Sequence, residues 1–193
     1  MRMRPLLLAA SLAVLLAGCG APSYYLLPPP AAPIARAASP AATVVVADIS
    51  VPTYVDALEI ASLTGPETVD LAKNSLWADS PRRALTRHLA AALDARLGAR
   101  VGTEPWPAFD APGLRIEVVV DRMIGAPGGA LDFSGQYAIV SPTSGTLRAF
   151  DRFAISLPVA DGGYPALMAA HARAMDALAD RITASITGRA LAS

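Results

Sequence analysis

The side chains best suited to chemistry are few. Cys19 is the single cysteine of the 193-residue chain, and His88 and His171 are its two histidines. Neither histidine has a His, Cys or carboxylate at the i, i+3 or i, i+4 spacing that puts two ligands on one helical face, and the carboxylate nearest to His171 is Asp176, five residues on. His171 falls on the apolar side of a predicted helix, so both rings read as core or boundary residues rather than as catalysts or metal ligands. No GxSxG elbow, Walker loop or HExxH pattern occurs. Gly125-Ala126-Pro127-Gly128-Gly129 precedes a strand and lacks the lysine of a phosphate loop, so it is a turn. The expectation is no catalytic residue, no metal and no cofactor.

Cys19 stands in a more informative context. Arg2 and Arg4 precede a short apolar run from Pro5 to Leu16, interrupted by Ser11, and Leu16-Ala17-Gly18-Cys19 follows. A charged start, a short apolar stretch and small residues before a cut make a secretory signal. The run is shorter than the roughly 20 residues a membrane-spanning helix needs. Leu16, Ala17, Gly18 and Cys19 resemble the lipobox of bacterial lipoproteins. The resemblance implies cleavage after residue 18, a diacylglycerol thioether on the Cys19 sulfur, and N-acylation, for example with palmitate. Two or more acyl chains hold a protein stably on a membrane, each buried methylene contributing about 0.8 kcal/mol. Gly20 follows the cysteine where retention in the inner membrane is associated with aspartate, which favours the outer membrane and its periplasmic side. An ordinary secretory signal that happens to contain a cysteine is the alternative. With no second cysteine, an internal disulfide is excluded and the fold must stand on its core.

Removing residues 1–18 leaves a chain sized for one domain. Hydrophobic residues make up 53% and charged residues 17%, which is ample material for a core. Loss of Arg2 and Arg4 leaves 14 basic against 16 acidic side chains. There is no basic field to attract nucleic acid. Residues 19–42 are rich in Pro, Ala and Ser, including Pro28-Pro29-Pro30, and read as a stiff tether lifting the body from the membrane. Tyr24-Tyr25-Leu26-Leu27 interrupts it; four bulky residues in succession predict a short strand or a packed contact.

Residues 43–193 then form the folded domain. Thr43 to Asp48 is a β-branched run and predicts a buried strand. Weaker strands are expected near Leu58 to Ser62 and Thr68 to Ala72, and a short one at Arg100-Val101. Ser80-Pro81 predicts a helix start with Ser80 as N-cap. Leu85, Leu89, Ala92, Leu93 and Leu97 make its stripe, with Arg83, Arg87, Asp94 and Arg96 mostly off it, and Gly98 its left-handed cap. Leu114 to Asp121, Leu131 to Val140 and Thr146 to Leu157, joined by Gly/Pro turns, predict an antiparallel meander. A second amphipathic helix covers about Pro165 to Ile186. The expected class is α+β, a mostly antiparallel sheet with two amphipathic helices packed on one face.

Partner-binding candidates come from the remaining large side chains. Trp77, just before the first helix, reads as a lid on the core. Trp106, held in Pro105-Trp106-Pro107, is either an exposed rigid anchor for a partner or a packed loop residue. Arg82, Arg83 and Arg87 form either a solvated helix face or a docking site for an acidic partner.

Several features occur in a fixed order: the lipobox, Tyr24-Tyr25-Leu26-Leu27-Pro28, Val51-Pro52, Tyr54-Val55-Asp56, Asn74, Trp77-Ala78-Asp79, the Leu-rich helix and a final Ala-rich helix. This layout resembles the ABC-type transport auxiliary lipoprotein family, which includes paraquat-inducible protein C, over essentially the mature chain. The resemblance implies a non-enzymatic outer-membrane component of an MCE-type ABC system moving lipids or other hydrophobic molecules between the two membranes. Its implied partner is an MCE-domain protein, docked by a single copy or by a homo-oligomer. A periplasmic lipoprotein hydrolase and a purely structural envelope lipoprotein are the rival readings.

Overall fold

A computed structural model describes residues 21–33, 35–107 and 110–188. Eight strands run in chain order: β1 Ser23–Tyr25, β2 Thr43–Val46, β3 Glu59–Leu63, β4 Val69–Trp77, β5 Arg100–Thr103, β6 Leu114–Gly125, β7 Ala130–Ser141 and β8 Thr146–Pro158. The helices are α1 Thr53–Asp56, α2 Pro81–Arg96 and α3 Gly163–Thr187. The class is α+β, as expected, but the strands form two mixed sheets. Five strands make the order β5-β2-β6-β7-β8, and three make β1-β4-β3.

The meander β6-β7-β8 is antiparallel, whereas β2 runs parallel to both β5 and β6. The reason is connectivity: the chain leaves β2, builds the small sheet and α2, and re-enters beside β2 in the same direction, as a crossover must. Alternation decides which face is buried. Ile116, Val118 and Val120 of β6 lie opposite Ile139, Tyr137 and Gly135 of β7, and Phe133 meets Ile155 of β8. These side chains are buried and join Leu85, Leu89 and Leu93 of α2 and Leu167, Ala174 and Leu178 of α3 in one core. The opposite face of the large sheet carries Arg115, Glu117, Asp121 and Arg152, with Arg115 paired to Glu117 and Arg152 to Asp121.

Both long helices begin and end in ways that periodicity does not reveal. Pro81 occupies the first turn of α2, but the Ser80 hydroxyl makes no capping bond; Asp79 Oδ1 accepts the Ser80 N–H instead, at 2.8 Å. Nor is Gly98 the left-handed cap. The helix closes at Leu97 in extended geometry, and the Gly98 N–H donates to the carbonyl of Ala37 at 2.8 Å. That strand-like exit is dictated by the N-terminal segment running alongside. The left-handed cap is at the end of α3, where Gly188 has φ 66°.

Residues 21–33 and 35–42 are tied to the body at several points. β1 pairs in parallel with β4, Tyr25 opposite Trp77, and the Tyr25 ring lies 6.0 Å from Tyr164 at the start of α3. The Ala31 N–H donates to Asp176 at 3.1 Å, Arg36 pairs with Asp94, and the Ala37 N–H donates to the Arg96 carbonyl at 2.7 Å. The segment is a strap across the ends and sides of the two long helices.

Candidate functional site

The strap lies over a buried polar knot between α2 and α3. His88, Arg96 and Asp176 are all buried. Asp176 Oδ1 lies 3.4 Å from His88 Nε2 and 3.6 Å from Arg96 Nη1, while Arg96 Nε donates to Asp180 at 2.6 Å. At 3.4 Å the His88–Asp176 contact lacks hydrogen-bond geometry, leaving His88 Nε2 and Asp176 Oδ1 without a hydrogen-bond partner among the described residues. Burial pushes the His88 pKa down; the Asp176 charge and the Pro28 backbone oppose this without reversing it. A neutral ring beside a carboxylate that Arg96 neutralises is the consistent assignment. Asp176 thus connects α2, α3 and, through Ala31, the strap.

His171 is separate from this knot. Its Nδ1 is 2.8 Å from the Leu167 carbonyl, and Trp77 meets its ring edge-on at 5.6 Å. Complete burial lowers its pKa to about 4. Trp77 is the buried lid that its position before α2 suggested. Both histidines are core residues, and among the described residues no group of three His, Cys, Asp or Glu side chains could hold a metal.

The arginines of α2 divide by partner. Arg82 pairs with Asp56 of α1, and Arg87 pairs with Asp79 before the helix. The Ser80 N–H, followed by Arg87, holds the Asp79 carboxyl below the usual carboxylate range. Two of the three candidate docking cations are therefore used in fastening local structure, and Arg83 has no ion pair among the described residues. Trp106 is half-buried. Its ring covers Gly102 on β5, where an added Cβ would come within 3.2 Å. Trp106 also walls an open hollow of about 580 Å³ with Val45, Glu104, Pro105, Arg115 and Pro142. Arg115 Nε donates to Glu104 at 2.7 Å and lowers the pKa of that carboxyl. Farther across the same sheet face, Leu147 and Phe150 of β8 are each 57% exposed. Trp106 is thus packed against β5 on one side and borders the hollow on the other.

Leu16, Ala17, Gly18 and Cys19 lie outside the described residues. The described chain resumes at Ala21, and β1 begins four residues after Cys19. Among the described residues no helix is long and apolar enough to cross a membrane.

Sequence reasoning missed the knot, although a signal exists. His88, Ala92 and Arg96 succeed one another at i, i+4, i+8, and Asp176 and Asp180 at i, i+4. Opposed stripes of basic and acidic side chains on two apolar helices mark a buried pairing between them.

A solved structure of an uncharacterized protein superposes with a TM-score of 0.71 at 23% identity, covering 86% of this chain and 99% of that one. Protein XCC0632 from Xanthomonas campestris, assigned to DUF330, superposes at 0.59 with 18% identity, covering 87% and 94%. These likenesses show a shared fold. No curated protein matches the chain. A family model, that of the ABC-type transport auxiliary lipoprotein component, matches residues 24–183, from the middle of β1 nearly to the end of α3, and the chain belongs to that family.

Proposed function

We propose that this lipoprotein is acylated on Cys19 and held on the periplasmic side of the outer membrane. There it serves, without catalysis of its own, an MCE-type ABC system carrying lipids or other hydrophobic molecules between the membranes. The observation that carries the reading is the strap. Three residues separate a lipid-bearing Cys19 from a strand of the folded body, so the anchor holds the body itself close to the membrane. The family's role as a transport auxiliary component supports an ABC transporter as partner. Gly20, in place of aspartate, favours the outer membrane.

The surface best suited to an MCE-domain protein is the outer face of the five-stranded sheet. Trp106, Leu147 and Phe150 supply apolar anchors there, ringed by paired charges such as Arg115 with Glu104 and Glu117. An anchor set within a polar rim is the usual make-up of a protein interface. Arg83 offers an additional cation. Crosslinking in cells of the native host, followed by identification of the captured protein, tests the assignment. Recovery of an MCE-domain protein, lost on Trp106→Ala and Phe150→Ser, is the expected result. Capture of only unrelated envelope proteins, or capture indifferent to both substitutions, overturns it.

A further inference from the structure

The small sheet β1-β4-β3 buries one face and leaves the other open, and most large side chains on the open face are apolar. Trp77, Ile60 and Ala72 point into the protein. On the other side Tyr24 lies beside Leu76, Leu71 beside Ala61, and Val69 beside Leu63. Tyr24 is 63% exposed, and Leu26, just beyond β1, is 76% exposed. Leu71 and Val69 are also exposed, and Leu76 and Leu63 half-buried. Lys73, on the same side of β4 as Leu71 with buried Ala72 between them, and half-buried Glu59, across Leu76 from Tyr24, are charged side chains that share this face. An apolar face of this kind on a folded domain marks a contact surface.

What covers it follows from where the chain goes. Cys19 precedes Ser23 by four residues, so even a fully extended link places the cysteine within roughly 14 Å of β1. We infer that the open face of β1-β4-β3 is the membrane-facing surface of the protein, resting at the headgroup level of the phospholipid bilayer that holds the acylated cysteine. This rests on acylation of Cys19 as proposed above. Acyl chains alone would leave the body free to rotate. Adding an apolar patch beside the anchor supplies a second, oriented contact, as interfacial apolar faces do. The unpaired backbone edges of β1 and β3 restrict the sheet to interfacial depth, since the hydrocarbon interior admits no open sheet edge. So oriented, the protein engages the membrane through the small sheet, leaving the outer face of the large sheet for a partner.

The test uses the full acylated chain in vesicles of phosphatidylethanolamine and phosphatidylglycerol containing a nitroxide-bearing phosphatidylcholine. Acylated Cys19 offers no thiol, so an environment-sensitive fluorophore attaches only at an introduced cysteine: Leu26→Cys, Leu71→Cys or, for comparison, Phe150→Cys. The expected result is blue-shifted emission, most of it quenched by the lipid nitroxide, at positions 26 and 71, and unquenched emission at 150. Solvent-like emission at 26 and 71 on vesicle-bound protein overturns the inference while leaving the anchor intact. Protection at those positions without lipid quenching means a second copy or another protein covers the face, and also overturns it, as does equal quenching at all three positions. Mass spectrometry of the same preparation scores the premise separately; an unacylated Cys19 removes the inference together with the anchor.

Discussion

His88 and Asp176 face one another across the interface of the two long helices, Nε2 to Oδ1 at 3.4 Å, with Arg96 as the cation that balances the carboxylate. The arrangement makes Asp176 the member whose loss is felt most widely. Its other oxygen holds the Ala31 N–H of the strap.

Asp176→Ala should therefore do two things. It leaves buried Arg96 with Asp180 as its remaining carboxylate partner, so the cost stays below the roughly 3–5 kcal/mol of a buried charge left wholly uncompensated. It also frees the strap at Ala31. The expected outcome is a lower denaturation midpoint together with faster proteolysis between residues 28 and 42. Asp180→Ala removes a carboxylate whose side chain is 60% exposed, and should cost far less and leave the strap protected. Equal effects of the two substitutions would show that Asp176 does not organise this interface.

His171 predicts a pH dependence with a definite sign. Burial holds its pKa at about 4 against an ordinary 6.5. The unfolded chain takes up its proton near the ordinary value, while the folded chain does not until pH falls to about 4. Stability from this site is thus full above pH 6.5 and is lost as pH falls through the window down to 4. By pH 5 the loss is about 2 kcal/mol. His171→Gln, which keeps a donor for the Leu167 carbonyl, should flatten the fall in unfolding free energy between pH 7 and pH 5 relative to the parent. Parallel curves for parent and variant would exclude His171 as the titrating group. Trp77 fluorescence reports on the same contact, because the two rings touch.

How far these features were legible in the sequence depends on whether a local pattern or a distant partner decides them. The alternation of Ile116, Val118 and Val120 and the stripe of Leu85, Leu89 and Leu93 are local, and they gave the meander and α2 with their correct faces. Arg96 reads as off that stripe because its charge hides an apolar-side position; the opposed Asp176 and Asp180 are what allow it to be buried. Proline-rich composition reads as a stiff tether standing the body off the membrane, yet backbone donors of Ala31 and Ala37 find acceptors on Asp176 and Arg96, residues remote in the chain. The same remoteness conceals the small sheet's open face, since Tyr24, Leu71 and Leu63 align only after β1 pairs with β4 and β4 with β3.

Gly135 marks where the two longest strand pairings meet. It sits on the core side of β7 opposite Val120, at the register shift in β6, and faces Phe153 of β8. A Cβ there would stand 2.2 Å from the Val119 carbonyl oxygen and 3.0 Å from the Phe153 ring. The first clash is with backbone, so no rotamer change relieves it. Gly135→Ala should cost at least about 1–3 kcal/mol, the usual range for overpacking, with reduced soluble yield and a lower midpoint of chemical denaturation. A midpoint unchanged from the parent would mean that β6 shifts freely at its bulge.

The edge of the large sheet yields the last expectation. β8 ends the order β5-β2-β6-β7-β8, and a long edge strand offers unpaired backbone groups to other chains. Here side chains occupy several of those groups. Arg173 and Arg181 of α3 donate to the carbonyls of Pro158 and Ala154, at 2.6 and 3.4 Å, and Asp151 accepts the Arg152 N–H. The exposed apolar pair Leu147 and Phe150 lies earlier along β8 than the carbonyls those arginines hold. Both arginine bonds are exposed, so the double substitution Arg173→Ala and Arg181→Ala should change stability by less than about 1 kcal/mol for each. Self-association should nevertheless rise with concentration, because the opened stretch then continues the apolar one. Sedimentation velocity over a concentration series checks this. A mass indistinguishable from the parent's at every concentration would show that the arginines do not shield the edge, and that the strand's own twist suffices.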